Sequence, residues 1–230
     1  MKNLTVFGLS LFLFVPNAYA LDFGVGVRAG TTGAGVDLSI ALTPTVNARL
    51  TLGKIDHEVS EVIELDGSSS GSIDTDLTLD FGSTAILFDW YAFDGIFHAT
   101  AGLMKNDSKA TMHGMILGDT IVFNGQTYDV SSDFVDSSMG GEVGLADSYE
   151  PYLGIGWGRK AGNDAGFSVS FELGVALISP SVSLTAPVAR DPGIQDELDT
   201  NVKAAEQSAN EDLSDFEIWP VVTLGVNYAF

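Results

Sequence analysis

An alternation of large apolar with small or polar residues, with a period of two, recurs eight times along this chain. Successive side chains of a strand point to opposite faces, so each stretch reads as an extended segment with one greasy side and one polar side. The first sets Phe23, Val25, Val27 and Ala29 against Gly24, Gly26, Arg28 and Gly30. The second sets Val36, Leu38, Ile40 and Leu42 against Gly35, Asp37, Ser39 and Ala41, and the third sets Val46, Ala48, Leu50 and Leu52 against Asn47, Arg49, Thr51 and Gly53. Phe97 to Met104, Pro151 to Gly158 and Phe167 to Leu177 repeat the pattern, and the last stretch aligns Val222, Leu224, Val226, Tyr228 and Phe230. The fourth, Leu77 to Tyr91, changes phase. Leu77, Leu79 and Phe81 have one parity and Ile86, Phe88 and Trp90 the other, which predicts a β-bulge near Gly82.

The polar side of these stretches is made mostly of Gly, Ser, Ala and Thr with isolated charges. A water-facing surface would carry Lys, Glu and Arg freely, whereas small side chains suit a narrow interior. The pattern predicts an all-β fold, an eight-stranded antiparallel transmembrane β-barrel with lipid outside and a tight polar lumen. Closure also removes the unpaired edges that lipid does not tolerate. The connections agree, because Thr43–Thr45, Ala92–Gly95 and Arg159–Gly166 are short, while the stretches at 57–74, 107–149 and 180–216 are long and fall at the other end. These predict periplasmic turns and long extracellular loops. Phe23, Trp90, Tyr91, Phe93, Phe97, Trp157, Phe167, Tyr228 and Phe230 fall near the proposed periplasmic ends, as an interfacial aromatic girdle would.

Composition removes several alternatives. The chain has 31 acidic and 10 basic residues, a formal charge of -21 and no Cys. Nucleic acid is excluded as a partner because phosphate is bound by Lys and Arg; a disulfide scaffold and a thiolate metal site are excluded outright. No cofactor is predicted. Lys2, the apolar run Leu4–Val15 and Ala18-Tyr19-Ala20 read as a cleaved signal peptide over residues 1–20, leaving residues 21–230 as the barrel domain. Beyond it no stretch of eighteen apolar residues predicts a helical span.

Twenty-four of the acidic residues lie in three outer segments, Asp56–Asp76, Asp107–Glu150 and Arg190–Glu217, with Lys109, Arg190 and Lys203 as their cations. Such a surface reads either as a cation-collecting face for Ca²⁺ or Mg²⁺ shared with lipopolysaccharide phosphates or as a solvated, repulsive outer face; no D-x-D-x-D-G spacing is present. Within the third connection, Asp191, Pro192 and the recurrence of Ile194, Leu198, Val202, Ala205, Ala209, Leu213 and Phe216 predict a helix. Asn124-Gly125 between Thr120–Phe123 and Gln126–Val130 predicts a hairpin.

Inward charges define the candidate lumen site. Arg28 and Arg49 are its cations; Asp37 and Glu172, with Asp80 or Asp89, are its anions. A charge in a narrow lumen needs a partner, so these residues read either as an ion-paired plug or as a selectivity constellation. For catalysis, His57, His98 and His113 are the only histidines, and nothing beyond residue type assembles a nucleophile and base around them. The chain is expected not to be an enzyme.

Several stretches also resemble a small, little-characterised family of proteobacterial outer-membrane proteins. They are Leu42-Thr43-Pro44-Thr45-Val46-Asn47, Asp89-Trp90-Tyr91, Thr100-Ala101-Gly102-Leu103, Pro151 through Gly158, and Trp219 to Phe230. The terminal Phe230 with Val222, Leu224, Val226 and Tyr228 resembles the assembly signal of outer-membrane barrels. The resemblance implies a barrel broadly similar to OmpX or the membrane domain of OmpA, without the peptidoglycan-binding domain of full-length OmpA. It implies residence in the cell outer membrane, contact with its lipid and lipopolysaccharide, and handling by the barrel-assembly machinery. It carries no catalytic residues. The expected role is structural or surface interaction in the envelope, with a small-solute porin as the alternative.

Overall fold

The computed structural model describes residues 22–64, 70–92, 95–123, 126–146, 148–158, 161–162 and 165–230. The expected signal peptide, Phe93 and the Asn124-Gly125 turn lie outside them. Fourteen strands and two helices follow one another: β1 (Phe23–Gly30), β2 (Gly33–Thr43), β3 (Val46–Glu64), β4 (Ser70–Tyr91), β5 (Phe97–Lys105), β6 (Lys109–Phe123), β7 (Gln126–Asp129), α1 (Val130–Asp133), β8 (Phe134–Asp136), β9 (Ser138–Gly144), β10 (Glu150–Trp157), β11 (Gly166–Leu177), β12 (Ser181–Thr185), β13 (Val188–Ala189), α2 (Pro192–Leu213) and β14 (Ile218–Ala229).

Eight of these strands close on themselves. β1 pairs with β2, β2 with β3, β3 with β4 and β4 with β5; β5 pairs with β10, β10 with β11, β11 with β14, and β14 with β1, every pair antiparallel. The ring has no free edge along its height. Its registers put the two residue sets of each alternating segment on opposite sides. Val27, Leu153, Val169 and Leu224 face outward, each 60% exposed or more, while Ala85, Leu87, Asp89, Thr100, Met104, Tyr152 and Glu172 face inward and are buried.

At one end the wall continues upward. β3 and β4 are 19 and 22 residues long, about twice the length that crosses a bilayer. The lower part of β4, Thr84–Tyr91, pairs with β5, and its upper part, Ser70–Asp80, pairs with β6. β6 pairs in turn with β9, and β9 with β12, so an outer sheet in the order β3-β4-β6-β9-β12 rises from one side of the ring. Of the stretches expected to be long loops, the described parts of the first two therefore form mostly β-strands, and the third is mostly the helix α2. The reason is strand pairing: alternating segments such as Ala110, Met112, Gly114 and Ile116 pair in register with Leu79, Leu77, Thr75 and Ile73.

The phase change in the fourth segment has a different origin from the bulge it predicted. β3 and β4 stay in unbroken register from Val46↔Trp90 to Glu64↔Ser72, through Lys54↔Gly82. The backbone does not shift; the apolar residues change face. Below that rung the outward side carries Leu50, Leu52, Ile86, Phe88 and Trp90, and the inward side Arg49, Thr51, Ser83 and Asp89. Above it the outward side carries Lys54, Asp56, Glu58, Asp74, Asp76 and Asp80, and the other side Ile55, Val59, Leu77, Leu79 and Phe81. Two paired strands thus exchange their greasy and polar sides at the same height.

Aromatic contacts line one side of the opposite end of the ring, on β1, β5, β10, β11 and β14. Phe23 stacks on Phe230 at 4.5 Å, Phe230 meets Tyr228 at 4.8 Å, Tyr228 meets Phe167 at 4.9 Å, and Trp157 lies between Phe97 and Phe171. Tyr91, expected in this girdle, instead turns into the lumen and packs on His98 at 4.9 Å, because it keeps the inward parity of Leu87 and Asp89.

Candidate lumen site

Inside the ring, charges from five strands meet. β1 contributes Arg28, β2 Asp37, β3 Arg49, β4 Asp89 and β11 Glu172, each on the inward parity of its strand. Arg49 is the hub. Its Nε and Nη2 donate to the two oxygens of Asp89 at 2.9 Å each, Nη2 also donates to Glu172 Oε2 at 2.5 Å, and Nη1 lies 3.8 Å from Asp37. Arg28 Nε lies 3.3 Å from Asp37, and its two terminal nitrogens donate to the hydroxyls of Thr32 and Ser83 at 3.1 and 2.9 Å. The structure thus brings Arg28, Asp37, Arg49 and Glu172 into one chain of ion pairs. Asp89 belongs to it; Asp80 does not, being paired in register with Lys109 on the outer sheet.

Neutral residues complete the carboxylates' hydrogen bonds. Thr51 Oγ1 donates to Asp37 and Thr100 Oγ1 to Asp89, both at 2.8 Å, and Tyr152 Oη donates to Glu172 Oε1 at 2.5 Å. His98 Nε2 stands 3.7 Å from Glu172 Oε2, and its Nδ1 has no hydrogen-bond partner. A buried carboxylate is tolerated only when its lone pairs are used, which is why hydroxyls surround this network. Tyr152 reaches Glu172 because Gly154 and Gly174 lie beneath its ring. A Cβ at Gly154 would stand 2.6 Å from the phenol oxygen, and one at Gly174 would collide with it. Sequence reading missed Tyr152, Thr51 and Thr100, since Tyr and Thr on an alternating strand give no sign of which carboxylate they face.

Above the charges the lumen is filled. Ala85, Leu87, Met104, Tyr152, Ala176 and Val221 form a buried apolar cluster, with Trp219 packed against it. On each strand the apolar residue is the one nearer the outer sheet: Leu87 above Asp89, Met104 above Thr100, Ala176 above Glu172, Val221 above Thr223. Beside the network a cavity of about 40 Å³ remains, lined by Ser39, Tyr91, His98, Ser170 and Asn227 among others. That is room for roughly three waters.

Among the described residues, the one trio of potential metal ligands within mutual reach is Asp89, His98 and Glu172. The Arg49 guanidinium already occupies the cation position between both carboxylates. The acidic outer segments form no comparable trio among the described residues. The residues Val222, Leu224, Val226 and Phe230 line the outside of β14, away from the lumen, all substantially exposed. Phe230 N–H donates to Phe23 O at 3.0 Å, so the last residue is tied to the first strand.

No family model and no curated protein matches this sequence. Solved structures share the fold, among them two from one organism. CarO2 of Acinetobacter baumannii aligns with a TM-score of 0.55 at 19% identity, covering 92% of this chain and all of that one. CarO of the same organism aligns with a TM-score of 0.54 at 21% identity, covering 90% of this chain and 97% of that one.

Proposed function

We propose that the chain is a transmembrane β-barrel of the cell outer membrane whose lumen is plugged and whose work is done by the outer sheet, as a non-enzymatic envelope or surface-interaction protein. The observation that carries the reading is the exchange of faces on β3 and β4 at the Lys54↔Gly82 rung. An apolar outward face is stable only against lipid, and the same face turns acidic where lipid gives way to water. The fold shared with the CarO proteins supports it. In this reading the chain has the eight-strand plan of OmpX and the membrane domain of OmpA, with lipopolysaccharide and the assembly machinery as its partners.

The plug argues for an interaction role. A layer made of Leu87, Met104, Tyr152 and Val221, each 2% exposed or less, lies across the lumen above the ion-pair network. Eight-stranded interiors are wide enough for side chains and little else. Purified protein is expected to migrate faster unboiled than boiled on a detergent gel and to leave planar bilayers silent. Soluble, detergent-independent monomers would sink the reading.

A small-solute channel is the second reading, favoured by the cavity beside the network. It requires the apolar layer to move, and it predicts single-channel currents from the unmodified protein, with cations preferred at the acidic mouth.

A further inference from the structure

The outer sheet has two edges, and the fold treats them differently. At β12 the edge is sealed by α2. Asn210 accepts from Val182 N–H at 2.8 Å and donates to Val182 O at 2.9 Å, and Glu206 accepts from Leu184 N–H at 3.0 Å. At β3 nothing equivalent exists among the described residues. β2 stops pairing at Gly35↔Gly53, whereas β4 follows β3 on its other side up to Glu64. Among the described residues, no backbone group pairs with the second edge of β3 from Ile55 to Glu64. Lys54 to Val59 are exposed one after another, on both faces of the strand.

The two faces beside this edge have opposite character. On one lie Ile55 and Val59, 49% and 41% exposed, continued across the sheet by Leu77, Leu79 and Met112. On the other lie Asp56, Glu58, Asp74 and Asp76. Lys54 and Lys109, the cations of that face, are held by Asp56 at 3.4 Å and Glu142 at 3.0 Å, and no cation stands within ion-pair distance of Glu58, Asp74 or Asp76 among the described residues. We infer that the β3 edge is a docking site for an extended polypeptide segment that alternates basic and apolar residues. Such a segment adds a strand by main-chain hydrogen bonds, lays its apolar side chains beside Ile55 and Val59, and brings Lys or Arg over the acidic face. A second copy of this chain does not fit, because its own β3 would bring Asp56 and Glu58 against the same acids. The proposal rests on the barrel reading only in taking the outer sheet to be outside the membrane.

The test uses full-length protein in detergent and a fluorescent synthetic peptide of alternating lysine and valine, matched in length to the free edge. Saturable binding is expected, weakened about tenfold or more in the D56K/E58K variant. Two control peptides separate strand addition from plain charge attraction: one with the same residues in scrambled order, and one N-methylated at alternate positions so that it cannot pair along one edge. Both are expected to lose binding. Equal binding by the controls overturns the proposal, as does no binding by a chain that still shows heat-modifiable migration, an outcome that leaves the barrel reading intact. Loss of heat-modifiable migration in the unmodified chain would instead count against the barrel itself.

Discussion

Arg49 holds three carboxylates from three other strands, so its replacement tests how the lumen is held. Arg49→Met leaves Asp89 and Glu172 buried without a cation, a loss of about 3–5 kcal/mol in unfolding free energy measured in detergent or lipid. Arg49→Lys keeps the charge but loses the fork that spans both carboxylates, and is expected to fall between the two. At Gly174 the constraint is space, because a Cβ there meets the Tyr152 phenol. Gly174→Ala is expected to destabilise by about 1–3 kcal/mol. Most of that loss should vanish when Tyr152 is already leucine; additive losses in the double variant would show that the glycine and the tyrosine do not act as a pair.

At the scale of elements, α2 works as a strap. Asp191 caps it by accepting from Gly193 N–H at 2.7 Å, and Leu198 buries against Tyr128 and Phe134. Asn210→Leu strips the β12 edge of its partner and is expected to speed hydrogen exchange at Val182, with no change at the ring strands. Asp191→Ala should loosen the first turn by about 1 kcal/mol. The one-turn helix α1 has a pH dependence of its own. Hydrogen bonds from the Ser131 hydroxyl and the Ser132 backbone hold the exposed Asp129 carboxylate below its ordinary value. A carboxyl lowered in the folded state stabilises above its unfolded value and loses that contribution as pH falls through the folded one. Protection of the Ser131 and Ser132 amides is therefore expected to be full near neutrality and to be lost only as pH falls below the ordinary carboxylate range; unchanged protection in strong acid would refute the cap.

The whole molecule stands or falls on its outward band and its closure. Phe230 joins the aromatic contacts and its backbone bonds Phe23, so Phe230→Asn is expected to lower the amount of heat-modifiable protein in the outer-membrane fraction. Asn227→Leu, on the inward side of the same strand, should disturb the lumen yet leave targeting intact. The reverse outcome would invert the two faces. Truncating the plug, as Leu87→Ala with Tyr152→Ala, is expected to turn silent bilayers conducting. Continued silence would move the closure to another layer of the lumen.

Period-two alternation was enough to identify the ring strands, their two faces and the paired roles of Arg28, Asp37, Arg49 and Glu172 as inward charges, because parity along an extended chain is set by local geometry alone. The α2 cap was equally legible, since Asp191 and Pro192 act within one turn. What escaped was everything that depends on a neighbour far along the chain. The change of parity at Gly82 looked like a bulge because one strand cannot show that its partner reverses at the same rung. Whether Asp80 or Asp89 joins Arg49 depends on which rungs of β3 they meet across the sheet, and whether Tyr152 reaches Glu172 depends on Gly154 and Gly174 of two adjacent strands. The outer sheet went unseen for the same reason: hydrogen bonds between β4, β6, β9 and β12 link segments separated by tens of residues, and only closure of the tertiary structure brings their edges together.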